Sequence, residues 1–206
     1  RFDRKQVTST LIRLMVVDDH AEIRGEIVKQ LSQGDLLKVV AEADTSHDAW
    51  KVASQILPDI VLLDLHLPGL YSTVDLLKRF SQLKRTKVVI YASQGKAAEV
   101  QDLLEAGASG YVLKDDAPAL IKMALLMVSK GSKAVISPSL PRHLTRLTAQ
   151  ERSVLRYMTM RGKLLKAAER MGISEQELTD LVDHLVEKLE LESSDKLLRW
   201  AKKHGF

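Results

Sequence analysis

Short apolar runs recur along the first two-thirds of the chain, at Leu14 to Val17, Leu37 to Ala41, Ile60 to Leu63, Lys87 to Tyr91 and Gly110 to Leu113. They are rich in Val, Ile and Leu, and each is about one strand long. Between them apolar positions return with helical period, as in Ile23, Ile27, Val28 and Leu31, in Val100, Leu103 and Leu104, and in Leu120, Ile121, Ala124 and Leu125. Such alternation predicts a parallel sheet, because parallel neighbours need crossover connections and right-handed helical crossovers dominate. The expectation over 13–131 is an α/β domain, a doubly wound sheet of five parallel strands. Residues 132–146 carry Pro138 and Pro141 without a sustained period and are read as an interdomain linker.

Every recognisable segment after the linker has helical period. Thr148 with Glu151, and Ser174 with Glu177, each make a capping box. The first opens a stripe of Val154, Leu155 and Met158, the second one of Leu178, Leu181, Leu185 and Leu189. A helix between them closes at Met171-Gly172, and a last one covers roughly Asp195 to His204. The pair joined by Gly172-Ile173-Ser174 has the spacing of a helix-turn-helix. A second, smaller all-α domain of four helices is therefore expected over 147–206. Residues 1–12 are polar and expected at the periphery.

Composition narrows the class. With 206 residues, 45% apolar and 28% charged, the chain can bury a core, and two domains suit its length. It has no cysteine, which removes disulfides and thiolate metal ligands. No apolar stretch approaches bilayer length and no secretory pattern opens the sequence, so a cytoplasmic location without a membrane partner is expected. The net charge of +4 admits nucleic acid but does not single it out.

The chemistry lies at the ends of the runs. Asp18 and Asp19 close the first, Asp64 the third and Lys114 the fifth. In one parallel sheet these groups converge at the carboxyl edge, where open α/β sheets place their sites. Three acids and an ammonium there suit a divalent cation and a phosphoryl group. A single strand-end Asp is ordinarily a turn former or helix cap, and it is the combination that argues for a site. The six histidines are scattered without ligand spacing, and Trp50 and Trp200 fit core or half-buried positions.

Asp18-Asp19, Asp64 followed by Leu67-Pro68-Gly69, and the run from Ala106 to Asp115 that includes Gly110-Tyr111-Val112-Leu113-Lys114 resemble the receiver domain of bacterial two-component response regulators. Leu147-Thr148-Ala149-Gln150-Glu151-Arg152, Ala168 and Met171-Gly172-Ile173-Ser174 resemble the output domain of the LuxR/NarL branch. The resemblance implies a flavodoxin-like receiver and a regulator rather than an enzyme. It makes Asp64 the phosphoryl acceptor and Lys114 the group that holds the phosphoryl oxygens. Mg²⁺ would be held by Asp19 directly, Asp18 through water, Asp64, and the backbone carbonyl of His66. The donor would be a histidine kinase or a small phosphodonor, and a homodimer is admitted.

Two departures from the family pattern stand out. The family places Ser or Thr at the end of the fourth strand, to bond the phosphoryl group and relay its arrival to an aromatic that turns inward. Counted back from Lys114 that position is Ala92, and Ser93 beside it would point away from the site unless the loop shifts. The aromatic matches Tyr111, although a Tyr in a strand is also ordinary packing. The second departure is electrostatic. Residues 175–192 hold seven acids against Lys188 alone, and the family's DNA-contacting positions read Thr179, Asp180, Leu181 and Asp183. Carboxylates facing phosphates are repelled, so direct DNA contact is doubtful while a protein partner stays open. A basic excess elsewhere in the domain, from residues such as Arg156, Arg161, Lys163, Lys166 and Arg170, could still meet phosphates or an acidic protein.

Three functional readings follow: a DNA-binding response regulator, the same switch driving a protein contact, and a phosphatase using Asp64 as nucleophile. The last wants a second acid two residues on, where His66 stands.

Overall fold

The computed structural model describes residues 11–140, 147–160 and 164–206. Its two compact units are the chain through Gln94 with Leu103–Ser139, and Gly95–Asp102 with Leu140–Phe206.

From Ile12 to Ile136 the chain alternates strand and helix as β1 (Ile12–Val17), α1 (Ala21–Leu31), β2 (Leu37–Ala43), α2 (Ser46–Ile56), β3 (Ile60–Asp64), α3 (Thr73–Phe80), β4 (Lys87–Ala92), α4 (Ala97–Glu105), β5 (Gly110–Leu113), α5 (Pro118–Ser129) and β6 (Val135–Ile136). Every pairing is parallel and the spatial order is β2-β1-β3-β4-β5-β6. This is the doubly wound flavodoxin-like arrangement, with its switch point between β1 and β3. Leu14, Met15, Val16 and Val17 are all fully buried, as are Ile60 through Leu63, which explains why these strands read as unbroken apolar runs: both sheet faces are covered. On one face Leu14, Val16, Leu62 and Val89 pack with Ile27 and Leu31 of α1 and with Ile121, Leu125 and Val128 of α5. Truncating a buried leucine such as Leu62 to alanine would cost about 2–5 kcal/mol.

The helices begin where local chemistry supplies a cap. Thr45 accepts the Asp48 N–H ahead of α2, Ser72 and Asp75 form a capping box on α3, and Pro118 opens α5, where its missing donor costs nothing. Gly69 is the turn residue that the sequence motif needs. Its φ is +124°, and a Cβ there would meet the Ser46 Oγ at 2.5 Å.

The sheet has six strands, not the five expected, because part of the expected linker joins it. Val135 donates to the Ser109 carbonyl and Ser137 to the Tyr111 carbonyl, while Asp116 accepts from the hydroxyls of Ser137 and Ser139 and from the Leu113 N–H. Gly110 makes this approach feasible, since a Cβ there would lie 2.8 Å from the Val135 carbonyl oxygen. A two-residue strand beside a proline has no period to read. The remaining linker residues, 141–146, lie outside the described residues, as do residues 1–10 at the expected periphery.

The second unit contains α6 (Ala149–Thr159), α7 (Leu164–Met171), α8 (Glu175–Lys188) and α9 (Ser194–Lys203). Both expected capping boxes are formed, Thr148 with Glu151 and Ser174 with Glu177. Val154, Leu155, Ala168, Leu178, Leu185 and Leu197 build its core, and Met171, Ile173 and Leu189 pack against it. Among the described residues no helix is long and apolar enough to cross a membrane.

Candidate functional site

Asp18 follows β1, Asp64 ends β3 and Lys114 follows β5, so the register of three parallel strands carries all three to one sheet edge. The Lys114 Nζ lies 2.7 Å from Asp18 Oδ2 and 2.8 Å from Asp64 Oδ1. The Asp18 side chain is fully buried, and those of Asp64 and Lys114 are only 6% and 10% exposed, so this cluster is shielded from water on most sides. The second oxygen of each carboxylate is also held. Asp18 Oδ1 accepts the His20 N–H and Asp64 Oδ2 the His66 N–H, in each case two residues further on. Burial works against the Lys114 ammonium, but hydrogen bonds and charge from Asp18 and Asp64 outweigh it and raise its pKa above the ordinary lysine value. The Lys114 backbone N–H donates to the Ala92 carbonyl, which ties the end of β5 to the end of β4.

Asp19 lies beside this core rather than in it. It is partly exposed, with its Oδ1 2.7 Å from the His20 Nδ1, and ligand-capable atoms of Asp18, Asp19 and His20 lie within 4.8 Å of one another. Adjacent hard oxygens beside open solvent suit a cation such as Mg²⁺ that keeps several waters. His66 itself is exposed, with its backbone turned to the Asp64 carboxylate through the N–H.

The side chains expected to relay a signal are arranged as follows. Ala92 is buried and offers only a methyl group, and Ser93 is exposed. Tyr111 is fully buried, and its hydroxyl donates to the Gln94 carbonyl at 2.7 Å. Tyr91, on the other face of the sheet, has its ring centroid 5.5 Å from the Lys114 Nζ, and burial together with the Asp18 charge pushes its pKa up to about 12.

On α8 the acids Glu175, Glu177, Asp180, Asp183 and Glu187 are exposed. The Gln176 amide donates to Asp180 and the Thr179 hydroxyl to the Glu175 carbonyl, so both are engaged within the helix. Lys188, the one cation of residues 175–192, is turned to Glu151 of α6, with both carboxylate oxygens at 2.8 Å. The exposed face of α8 is therefore anionic. Arg161 and Lys163, part of the basic excess, lie outside the described residues.

Sequence reasoning overlooked His20, Arg24, whose guanidinium donates to the Asp18 carbonyl at 2.6 Å, and Asp116. His20 directly follows the acid pair, which was a usable signal. Arg24 and Asp116 act through backbone and hydroxyl partners that no spacing marks.

A parallel sheet of this order with an acid and lysine edge, followed by a helical bundle containing a helix-turn-helix, has the layout of a two-component regulator. Comparison with known proteins agrees. Residues 14–125 match the family model described as response regulator receiver domain. The chain is 30% identical over 190 residues to a probable transcriptional regulatory protein NarL of Mycobacterium tuberculosis, covering 86% of this chain and 88% of that protein. A LuxR-family two-component response regulator from an Aurantimonas species superposes with a TM-score of 0.58 at 31% identity, over 63% of this chain and 92% of that one. The RcsB response regulator of Salmonella typhimurium shares the fold over 93% of this chain and 98% of its own, with a TM-score of 0.59 at 22% identity. The chain belongs to the response regulator receiver family and is a two-component response regulator of the LuxR/NarL type.

Proposed function

We propose that this regulator is switched by transfer of a phosphoryl group to Asp64, from a histidine kinase or a small acyl phosphate. An Asp64 carboxylate oxygen attacks phosphorus in line. The new O–P bond forms as the donor's P–N or P–O bond breaks, and the bonding pair leaves with imidazole or carboxylate. Lys114, kept protonated by its two acids, swings its charge onto the phosphoryl oxygens as Asp64 is neutralised by esterification. Asp18, Asp19, Asp64 and the His66 carbonyl would hold Mg²⁺, which when bound would offset charge on the same oxygens. Water later attacks phosphorus, restoring the carboxylate and releasing inorganic phosphate.

The observation that carries this reading is the buried placement of Lys114 between Asp18 and Asp64 at the carboxyl edge. The full chain incubated with acetyl phosphate and Mg²⁺ is expected to gain one hydroxylamine-sensitive phosphoryl group by intact mass. Asp64→Asn should gain none. Equal labelling of that variant, or no labelling of the native chain by any phosphodonor, overturns the assignment.

The helical unit would act in transcription by contacting DNA weakly, with the anionic α8 adding little base readout. A second reading, in which it serves as a phosphorylation-controlled protein contact, is favoured by the anionic α8 face and by Lys188 being drawn to Glu151. DNA binding measured on the phosphorylated chain separates the two.

A further inference from the structure

We infer that a cavity of about 270 Å³ between α1 and the start of α5 is a binding site for a small organic cation, an amine carried on an apolar body. This inference does not depend on the phosphoryl chemistry. Ligand sites are mostly apolar concavities with a few convergent polar groups, and this one, at the small end of the range, is built that way. Its apolar wall is Ile23 and Ile27 of α1 with Pro118 and Ile121 of α5. Its inner polar group is Tyr91, which lines the cavity and is only 4% exposed. The Tyr91 hydroxyl makes no hydrogen bond to any of the described residues. A buried hydroxyl is ordinarily bonded, so one left open toward a cavity is a donor and acceptor available to an occupant.

The sign of the occupant follows from the charges around that hydroxyl. Burial is the first cause that holds the Tyr91 proton on, and the charges that act with it, from Asp18, Glu26, Asp115 and Asp64, are all negative. Lys114 also lines the cavity, but its ammonium is already answered by Asp18 and Asp64. Glu26 and Asp115 are exposed beside the cavity and make no ion pair among the described residues. Glu26 accepts the neutral Gln30 amide instead. An anion would be repelled here, and a neutral hydrocarbon would leave both carboxylates and the hydroxyl unanswered. A bare metal ion would have no use for the apolar wall. An alkylammonium answers every group: its N–H donates to the Tyr91 hydroxyl oxygen, its charge faces Glu26 and Asp115, and its body lies along Ile23, Ile27, Pro118 and Ile121. The two carboxylates are solvated, so the site is weak and its affinity falls with added salt.

Calorimetric titration of the full chain with phenethylamine should show one site with a Kd of about 0.1–1 mM, ordinary for a ligand of about nine heavy atoms. Hexylamine should bind similarly. Phenethyl alcohol and hydrocinnamate, which keep the body without the positive charge, should bind at least about tenfold more weakly. Tyr91→Phe removes an oxygen that bonds nothing in the protein, so it preserves the fold, and it should weaken the amine about three- to tenfold. Glu26→Gln with Asp115→Asn should weaken it by a similar factor, about three- to tenfold. Ile23→Trp, which fills the cavity from a half-buried position, should abolish binding. In methyl-labelled spectra the amine should shift Ile23, Ile27 and Ile121, which reads the site on the native chain whether or not a variant folds. N-acetyl-lysinamide presents the same ammonium as a protein side chain does, and it should bind more weakly than hexylamine because its amides meet the apolar wall. Absence of amine binding, equal affinity for hydrocinnamate, or methyl shifts confined to other residues overturns the inference. So does binding indifferent to Tyr91→Phe, and tighter binding of the lysine amide overturns the assignment to a free amine.

Discussion

Replacing Lys114 with methionine tests the electrostatics of the site and the proposed divalent cation at once. The change keeps most of the alkyl stem, so packing beside Tyr91 survives and the lost quantity is charge. It leaves Asp18, fully buried, and Asp64, nearly so, as neighbouring carboxylates without a counter-ion. Removing one partner of a fully buried ion pair costs about 3–5 kcal/mol. Here Asp19, with 31% of its side chain exposed, marks an open side through which water reaches the cluster, so about 2–3 kcal/mol is the better expectation. For a unit of this size that corresponds to a fall in Tm of roughly 6–15 °C. A divalent cation would answer the same carboxylates. At a hundredfold excess over its Kd, binding to the folded state alone returns about 2.7 kcal/mol, close to the whole loss. Scanning calorimetry in EDTA should therefore show Lys114→Met unfolding well below the native chain. Mg²⁺ titration should raise its Tm by more than that of the native chain, and Asp18→Asn added to Lys114→Met should recover part of the loss in EDTA. A Tm within about 2 °C of native and no greater response to Mg²⁺ would refute the reasoning, because carboxylates so placed cannot be indifferent to losing the ammonium that contacts both.

Further outcomes are expected from the titrating groups and from α8. The raised pKa values of Lys114 and Tyr91 mean the folded state holds protons more tightly than the unfolded one. Stability is thus complete below pH about 10, falls as pH rises through the folded values, and should fall less in Tyr91→Phe, as read by alkaline unfolding. Burial opposes the Glu151 charge, but bonds from Lys188 and Thr148 outweigh it and lower its pKa. Its contribution is present above the ordinary glutamate value and lost as pH falls through the folded value, and Glu151→Gln should flatten that acid limb in a pH series of unfolding curves. Glu151→Ala, which removes a cap and a buried partner of Lys188, should cost about 1–3 kcal/mol by urea denaturation. Anisotropy with duplex DNA should show at most weak binding with little sequence preference, and nanomolar, salt-dependent binding to one defined site would contradict the anionic α8.

Most of the fold was legible because its signals are periodic. The runs from Leu14, Ile60 and Gly110 became β1, β3 and β5, and the pairs Thr148 with Glu151 and Ser174 with Glu177 became helix starts. Each is a local pattern whose meaning depends on a few neighbours. β6 escaped because two residues cannot show a period, and what fixes it is tertiary: the Gly110 backbone left bare, and Asp116 collecting the hydroxyls of Ser137 and Ser139 across more than twenty residues.

The site was legible for a different reason. Parallel strands of similar length all end at one edge, so acids and a lysine that terminate separate runs must meet once the sheet forms, whatever their separation in sequence. That geometry brought Asp18 and Asp64 to Lys114, while Asp19, next in the chain to Asp18, turned to the other side of its strand end and joined His20. The sign of charge on α8 was also visible in the sequence, but its consequence was not. A lysine among seven acids could have softened the exposed field, and only the fold turns it to Glu151, a carboxylate that already caps α6. One ion pair thus serves the interior of the helical unit and strips the α8 surface of its single cation. A substitution that frees Lys188, such as Glu151→Gln, therefore alters the surface field and the helix cap together.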